Sequence, residues 1–303
     1  MFQSKVKRAR KKLSWNDRVF LGTCYVIIII LALAVLYPIV FVISASFSSP
    51  QALLRGEVWL WPVDFSLDGY KMVFNYEKVW IGYRNTIFYV VAGTLINVAL
   101  TMICAYPMAR KDVPGQNVIM KLFTFTMIFS GGMIPNYLLV KKLGMLDSVW
   151  ALLLPGAMSV YNMIVARTFI QNNIPEELLD AAQIDGCDDF HFFPMVVLPL
   201  SKAIIAVLAL WYAVGHWNAY FNAFLYLKDF NKYPLQIFLK EVLVASKISA
   251  EDVMDPETAQ AMENMKNLLK YSLIVVSVVP LFSFYPFVQK HFVKGVTIGS
   301  VKG

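Results

Sequence analysis

Apolar residues along this chain gather in long runs, and polar residues collect mainly in the segments between them. A helix that crosses a membrane needs roughly 20 mostly apolar residues. The pattern predicts six such spans, at about 19–45, 85–109, 122–140, 149–170, 202–225 and 268–288. The expected fold class is therefore an all-α integral membrane protein of about six transmembrane helices. Six spans return the chain to the side on which it began. Lys5, Lys7, Arg8, Arg10, Lys11, Lys12 and Arg18 crowd ahead of the first run. Positive residues favour the cytoplasmic side, so both termini are expected there. The same topology makes Arg110 with Lys111, Arg167 with Lys202, and Lys290 with Lys294 cytoplasmic, and each pair falls at predicted span ends. The outer loops are longer and of mixed charge, with Glu57, Asp64, Asp68 and Glu77 in one and the stretch from Asp229 to Glu263 in another. The chain divides into a basic N-terminus (1–18), a transmembrane domain (19–293) with an outer loop at about 226–267, and a C-terminal tail (294–303).

Several runs carry helix breakers: Gly131, Gly132 and Pro135 in the third, Pro155 and Gly156 in the fourth, Pro280 in the sixth. Two readings stand side by side. Small residues serve close helix packing in a bilayer. Breakers also persist there where neighbouring helices or cavity water satisfy the freed backbone groups, which suits bending around a passage. Trp59, Trp61 and Trp80 fall outside the first two spans, where indole rings commonly sit at headgroup level. The first run exceeds the usual apolar core of a cleaved signal peptide and shows no small-x-small cleavage pattern, so it is expected to be retained as a span. The chain shows no repeat and no low-complexity tract.

Composition supports the bilayer as solvent. Of 303 residues, 58% are hydrophobic and 16% charged, where a soluble domain carries about 25% charged residues; the mean hydropathy is +0.57. The net charge of +7 comes without the aromatic-interleaved basic stripe of a nucleic-acid binder. Cys24, Cys104 and Cys187 fit no metal or disulfide spacing, and two of them lie in apolar runs as small hydrophobes. No GxxxxGK[ST] stretch is present to cradle phosphate, and no HExxH, GxSxG or strand-linked GxGxxG. No catalytic residue and no metal site are expected, and with three histidines (His191, His216, His291) a His-rich metal site has little to draw on. Within the spans His216 is the one clear ionisable group. Proton-coupled carriers place such groups at membrane depth despite their cost, whereas sodium can be held by neutral oxygens. Energy for uphill movement is therefore expected from another chain.

One polar segment interrupts the apolar sequence, EELLDAAQIDGCDDFHFFPMVVLP at 176–199. Pro175 suits a helix start, Glu176 and Glu177 face the positive end of the helix dipole, and Gly186 suits the left-handed position after a helix end. A short helix over 175–185 follows, too short and polar to span, with Asp188 and Asp189 opening a second. The topology places this hairpin, about 175–195, in the cytoplasm between the fourth and fifth spans. Ala181 and Ala182 form a low-relief surface and the carboxylates can meet a basic rim, as a helix that inserts in a groove on another protein would require. A solvated loop of helical propensity fits the same residues.

The spacing Asp180-Ala181-Ala182-x3-Gly186-x9-Val196-x-Leu198-Pro199 resembles the EAA loop of ABC importer permeases, E-A-A-x3-G-x9-I-x-L-P, with Asp185 completing its common DG form. Asp180 stands where Glu is usual and Val196 where Ile is usual. The segments at 130–157, 217–227 and 285–303 are similar to carbohydrate-uptake permeases of the maltose-importer type, most of all the polysaccharide and aldouronate oligosaccharide branch. The resemblance covers essentially the whole chain. It implies the type I ABC importer permease fold and an oligosaccharide importer of the bacterial cell membrane. It also implies a second homologous permease subunit, a dimer of cytoplasmic ATP-binding subunits carrying ATP and Mg, and an extracellular solute-binding protein; no cofactor is implied for this chain itself. On the resemblance, Glu176, Glu177, Asp180, Ala181, Ala182, Asp185 and Gly186 are expected to contact the ATPase, and the tail from Lys294 to approach the ATPase dimer interface.

Aromatic faces and amide groups bind sugars, so Tyr161, Asn162, Trp211, Trp217, Asn218, Tyr220 and Asn222 are expected along the substrate path. Interface anchoring and helix packing are the other uses of such residues. Tyr161, Asn162 and Trp211 lie deeper in their spans, and the 217–222 group lies near the outer end, where it could form a gate. The alternative to an ATP-driven importer is an ATP-independent carrier or channel for a small polar solute, against which the scarcity of intramembrane charge speaks.

Overall fold

The computed structural model describes residues 14–245 and 268–283. The basic cluster ahead of Ser14, the expected outer-loop segment 246–267 and residues 284–303 with the expected tail lie outside the described residues. Along the chain run α1 (Trp15–Ser46), α2 (Pro50–Leu54), α3 (Asp68–Asn75), α4 (Glu77–Ala109), α5 (Gln116–Ile128), α6 (Met133–Lys142), α7 (Trp150–Leu153), α8 (Val160–Asn173), α9 (Glu176–Ile184), α10 (Asp189–Phe192), a π-helical turn (Phe193–Val197), α11 (Leu198–Leu200), α12 (Lys202–Asn218), α13 (Phe221–Tyr226), a 3-10 turn (Phe230–Lys232), α14 (Leu235–Ala245) and α15 (Leu268–Ser283). No strand occurs among the described residues. The fold is all-α, as expected.

The expected spans are not six straight rods. The helices α1 and α4 are each long and apolar enough to cross a membrane, and the number rises to four if the bent pairs α5–α6 and α10–α12 each count as one span. The third run breaks between α5 and α6, which meet at 112°. There Gly132 takes a left-handed φ of +87°, open to glycine at no steric cost, while its N–H donates to Ser130 Oγ at 3.1 Å. The fourth run splits at the Pro155–Gly156 turn into α7 and α8. The fifth ends at Asn218, whose side-chain amide folds back to donate to the Val214 carbonyl at 2.8 Å. The second run starts early, at Glu77, and α14 fills part of the expected outer loop. By contrast Pro280 sits within α15 without ending it.

The helix α4 is the spine of the molecule. It packs most heavily on α12, then on α8 and α14, and the fully buried Met102, Met163 and Leu208 fill the space between α4, α8 and α12. Glycines permit two close crossings: a Cβ on Gly82 would lie 2.9 Å from the Leu235 Cα of α14, and one on Gly93 would lie 2.3 Å from the His216 ring of α12. The C-terminal carbonyls of a helix have no partner within it. Here Arg167 Nε donates to the Met108 carbonyl at 2.6 Å and Gln171 to that of Ala109 at 3.1 Å, so α8 caps α4. Among the described residues most of α1 stands clear of the others, none of its most apolar stretch being buried. Its C-terminal end is held, Ser44 Oγ donating to the Leu60 carbonyl at 2.7 Å and Phe41 meeting Tyr271 edge-on at 5.9 Å.

Candidate functional site

The acidic segment folds as the pattern predicts, one residue shifted at its start: Pro175 caps α9 instead of occupying its first turn. Its end is a Schellman turn. Gly186 has φ +80°, its N–H donates to the Gln183 carbonyl at 3.0 Å, and that of Cys187 reaches the Ala182 carbonyl at 2.8 Å. Asp188 then caps α10, accepting from the His191 N–H at 2.8 Å and from its ring Nδ1 at 2.5 Å. The His191 contact holds the Asp188 carboxyl below the usual carboxylate range.

No residue of α9 is buried. Leu179 and Ala182 form its half-buried inner edge, with Cys187 beside them. Glu176, Glu177, Asp180, Ala181, Asp185 and Gly186 all face solvent, so the structure separates the two alanines, Ala181 outward and Ala182 inward. Two apolar side chains join the outer surface, Ile184 at 87% and Phe190 at 89% exposed. The sequence reading passed over both. Their signal was an isoleucine and a phenylalanine set among carboxylates.

Behind the hairpin, between α9 and the segment after α4, lies a cleft of 510 Å³. Arg110, on its wall, donates to Asp112 at 2.9 Å through Nε, to the Tyr106 hydroxyl at 3.1 Å and, through the same Nη1, to Asp189 of α10. The Arg110 bond holds the Asp112 carboxyl below its ordinary range. Lys111 pairs with Glu176 at 2.8 Å, which raises the lysine pKa.

A second cavity, of 280 Å³, lies where α4, α12 and the turn after α7 meet. Its polar lining comes from Tyr89, Asn97, Tyr212, His216 and Asn222, with Trp211 as an aromatic wall, and among the described residues no Asp, Glu, Lys or Arg lines it. The Asn97 amide, oriented from its partners, donates to the Gly93 and Ala157 carbonyls at 2.8 and 3.2 Å and accepts from His216 Nε2 at 3.2 Å. That assignment places the ring proton on Nε2. Tyr212 accepts from the Ser159 N–H at 3.1 Å and shares a 2.7 Å bond with Thr101. Facing the opposite end of α4 from Arg110, Asn85 donates to the Asn231 carbonyl at 2.6 Å and Tyr89 to that of Lys232 at 2.9 Å. Nearby, Asp147 accepts from the N–H groups of Lys228 and Asp229, each at 3.0 Å.

No family model matches the chain. Curated relatives and a solved structure do. Over 288 residues the chain is 40% identical to the polygalacturonan/rhamnogalacturonan transport system permease protein YtcP of Bacillus subtilis, covering 95% of this chain and 100% of that one. It is 42% identical to protein LplC of the same organism over 88% of this chain and 89% of the relative. Among solved structures it is similar to a chain of a bacterial ABC transporter involved in import of the acidic polysaccharide alginate, with a TM-score of 0.83, 34% identity, and coverage of 93% of this chain and 99% of that chain. The chain belongs to the permease subunits of ABC sugar importers. It is a membrane protein and a transport subunit, not an enzyme.

The permease brings only some of the expected substrate-path residues together. Trp211 and Asn222 line the 280 Å³ cavity. Tyr161 meets Trp211 at 6.0 Å between ring centroids and is 55% exposed. Trp217 is turned elsewhere: it is buried, and its indole N–H donates to the Ser277 carbonyl of α15 at 3.1 Å. Asn162 is buried in the first turn of α8 and Asn218 bonds within its own helix. Tyr220 lies exposed under the Lys240 ammonium, 4.3 Å from its ring centroid. The sequence reading missed Tyr89, Asn97 and Tyr212. Asn97 had a signal, an amide within an apolar run.

Proposed function

We propose that this permease forms half of the translocation pathway of an ATP-driven oligosaccharide importer and is driven through the hairpin at 175–195. One observation carries the reading: no residue of α9 is buried and its outer face is exposed up to the glycine turn at its end, with Ile184 and Phe190 standing out among carboxylates. Exposed apolar surface rimmed by polar residues is a feature of protein-binding sites, and these two side chains among carboxylates support that reading. The occupant is an ATP-binding subunit, which supplies the ATP and Mg, with Glu176, Glu177, Asp180, Ala181, Asp185 and Gly186 on the contact face. Ala182 and Leu179 support that face from behind.

Placement along α4 supports the topology. Asn85 and Arg110 are about 38 Å apart at 1.5 Å per helical residue, enough to reach across a hydrocarbon core of about 30 Å. The hairpin and Arg110 occupy the cytoplasmic end, with both termini, and the Asp147–Asp229 cluster the outer end; six spans complete the transmembrane domain in the cell membrane. Lipid and the second permease cover the bare apolar length of α1, while a solute-binding protein delivers sugar at the outer face. Sugar passes the 280 Å³ cavity, where Asn97, Asn222, Tyr89 and Trp211 offer amide, hydroxyl and ring-face partners. Relatives named for polygalacturonan, rhamnogalacturonan and alginate point to fragments of acidic polysaccharides as cargo. The uncharged lining suits their hydroxyls and ring faces.

Gly186→Trp tests the coupling. A side chain at a left-handed φ costs about 1–2 kcal/mol, on the order of tenfold in the docked population, and the indole obstructs the contact face. Reconstituted complexes carrying it are expected to lose stimulated ATP hydrolysis while the permease still inserts in the membrane. Normal stimulation would sink the assignment.

A further inference from the structure

We propose that Arg110 is the positioning residue that carries movement of the hairpin into the cavity wall, by pinning α10 to the cytoplasmic end of α4. The proposal rests on the reading of the hairpin as the ATPase contact. Arg110 follows directly after α4, yet its side chain is only 12% exposed. Its guanidinium joins three parts of the chain: Tyr106 on α4, Asp112 on the following loop, and Asp189 on α10. The Tyr106 hydroxyl also donates to Asp189 at 3.3 Å, and its ring packs on Phe192 and Phe193 with centroids 6.4 and 5.4 Å away. The second half of the hairpin is thus fastened to α4 by a charged bond set over an aromatic one.

The other ion pair of the hairpin is a weaker tie. Lys111 and Glu176 are 78% and 64% exposed, and exposed pairs of this kind contribute little. Arg110 differs on its own side of the bond: its side chain is 12% exposed and forks to two carboxylates. Asp112 and Asp189 themselves are 58% and 55% exposed, so its removal costs the link between α4 and α10 and leaves both carboxylates to water. Nor is it needed to hold α4 in the fold, since Arg167 and Gln171 of α8 and Gln116 of α5 bond the last carbonyls of α4 independently. What Arg110 adds is the link to the hairpin. From there α4 runs as one helix to Asn97 and Gly93, roughly 20 and 26 Å away at 1.5 Å per residue, where both bear on His216 at the cavity. A displacement of α10 is delivered along that rod to the Asn97–His216 contact.

The test uses the complete importer in proteoliposomes, with Cys24, Cys104 and Cys187 replaced by serine and Ala219→Cys on the cavity lining as a maleimide reporter. In the Arg110 background, ATP with vanadate is expected to change the labelling rate by about fivefold or more. Arg110→Ala is expected to keep assembly and basal ATP hydrolysis but shrink that change to about twofold or less. Arg110→Lys, which keeps charge without the fork, should recover part of it. The exchange Arg110→Asp with Asp189→Arg should recover most, because the guanidinium now carried by α10 faces two carboxylates, the one introduced at position 110 and that of Asp112. A full labelling change in Arg110→Ala overturns the proposal, as does an assembled exchange variant without recovery. If Arg110→Ala fails to assemble, the exchange variant alone decides. Gly186→Trp in the same preparation separates the two ideas: a normal labelling change there refutes the hairpin reading itself, whereas loss there with none in Arg110→Ala refutes only the role of Arg110.

Discussion

Replacing Gly93 with alanine probes the crossing of α4 and α12 where the cavity is built. The added Cβ would lie 2.3, 2.5 and 2.8 Å from Nε2, Cε1 and Cδ2 of His216, so the ring must retreat by about 1 Å to reach ordinary contact. That retreat breaks the 3.2 Å bond to Asn97. Overpacking of this kind costs about 1–3 kcal/mol and the lost hydrogen bond about 1 kcal/mol. Alanine returns about 1 kcal/mol through its better helix propensity. The net expectation is a destabilisation of about 1–3 kcal/mol, with the ring driven toward the cavity. In a His216→Ala background the obstacle is gone, so Gly93→Ala should become neutral or stabilising. Thermal unfolding of the purified complex, measured for both singles and the double, gives the coupling between the two sites; about 1 kcal/mol or more is expected. Equal costs of Gly93→Ala in the two backgrounds would refute the packing argument.

The remaining expectations concern charged clusters at the two ends of α4. Asp147 sits at φ +56° and accepts from two backbone N–H groups, the Asp229 contact being the main reason its carboxyl lies below the ordinary range. Asp147→Ala should weaken the Asp147–Asp229 cluster by about 2 kcal/mol, with solvent access allowed for. Hydrogen exchange at the Lys228 and Asp229 amides should then accelerate on the order of thirtyfold, and unchanged exchange would refute the link. Asn, which tolerates the left-handed region and keeps one oxygen, should be milder. At the C-terminal end of α4, the Asp112 carboxyl is lowered by Arg110. A depressed carboxylate contributes stability above its unfolded value of about 3.9, lost as the pH falls through the folded value. The difference in Tm between wild type and Arg110→Ala should therefore stay constant from pH 8 to about 5 and close below about 4; a gap that persists in acid would show that the pair does not contribute as argued.

Local chemistry was legible along the chain and distant pairing was not. The hairpin shows both sides. Pro175, the paired glutamates, Gly186 and Asp188 act on neighbours within five residues, so helix, turn and second helix could be read almost to the residue. Arg110 and Asp189 are 79 positions apart, and nothing in either stretch announces the other. The aromatics divide in the same way: Trp211 and Trp217 were both expected along the substrate path, one deeper and one nearer the span end, yet one lines a cavity and the other bonds to α15. Which face of α12 meets which neighbour depends on how α4 and α15 pack around it.

The apolar runs alone determined that this is a helical membrane protein, because a bilayer demands internal satisfaction of every backbone group. The spacing at 180–199 resembled that of importer permeases, the local helix signals gave the surface helix, and the relatives at 40% and 42% identity established the family. Where those helices bend was a tertiary decision. Gly131, Gly132, Pro155 and Gly156 permit a break, but Pro280 permits one too and sits inside α15. Breakers lower the cost of bending, and the neighbours each helix packs against decide which bends are used. The cavity and the Arg110 joint belong to the same class of fact, since both exist only where elements remote in the chain meet.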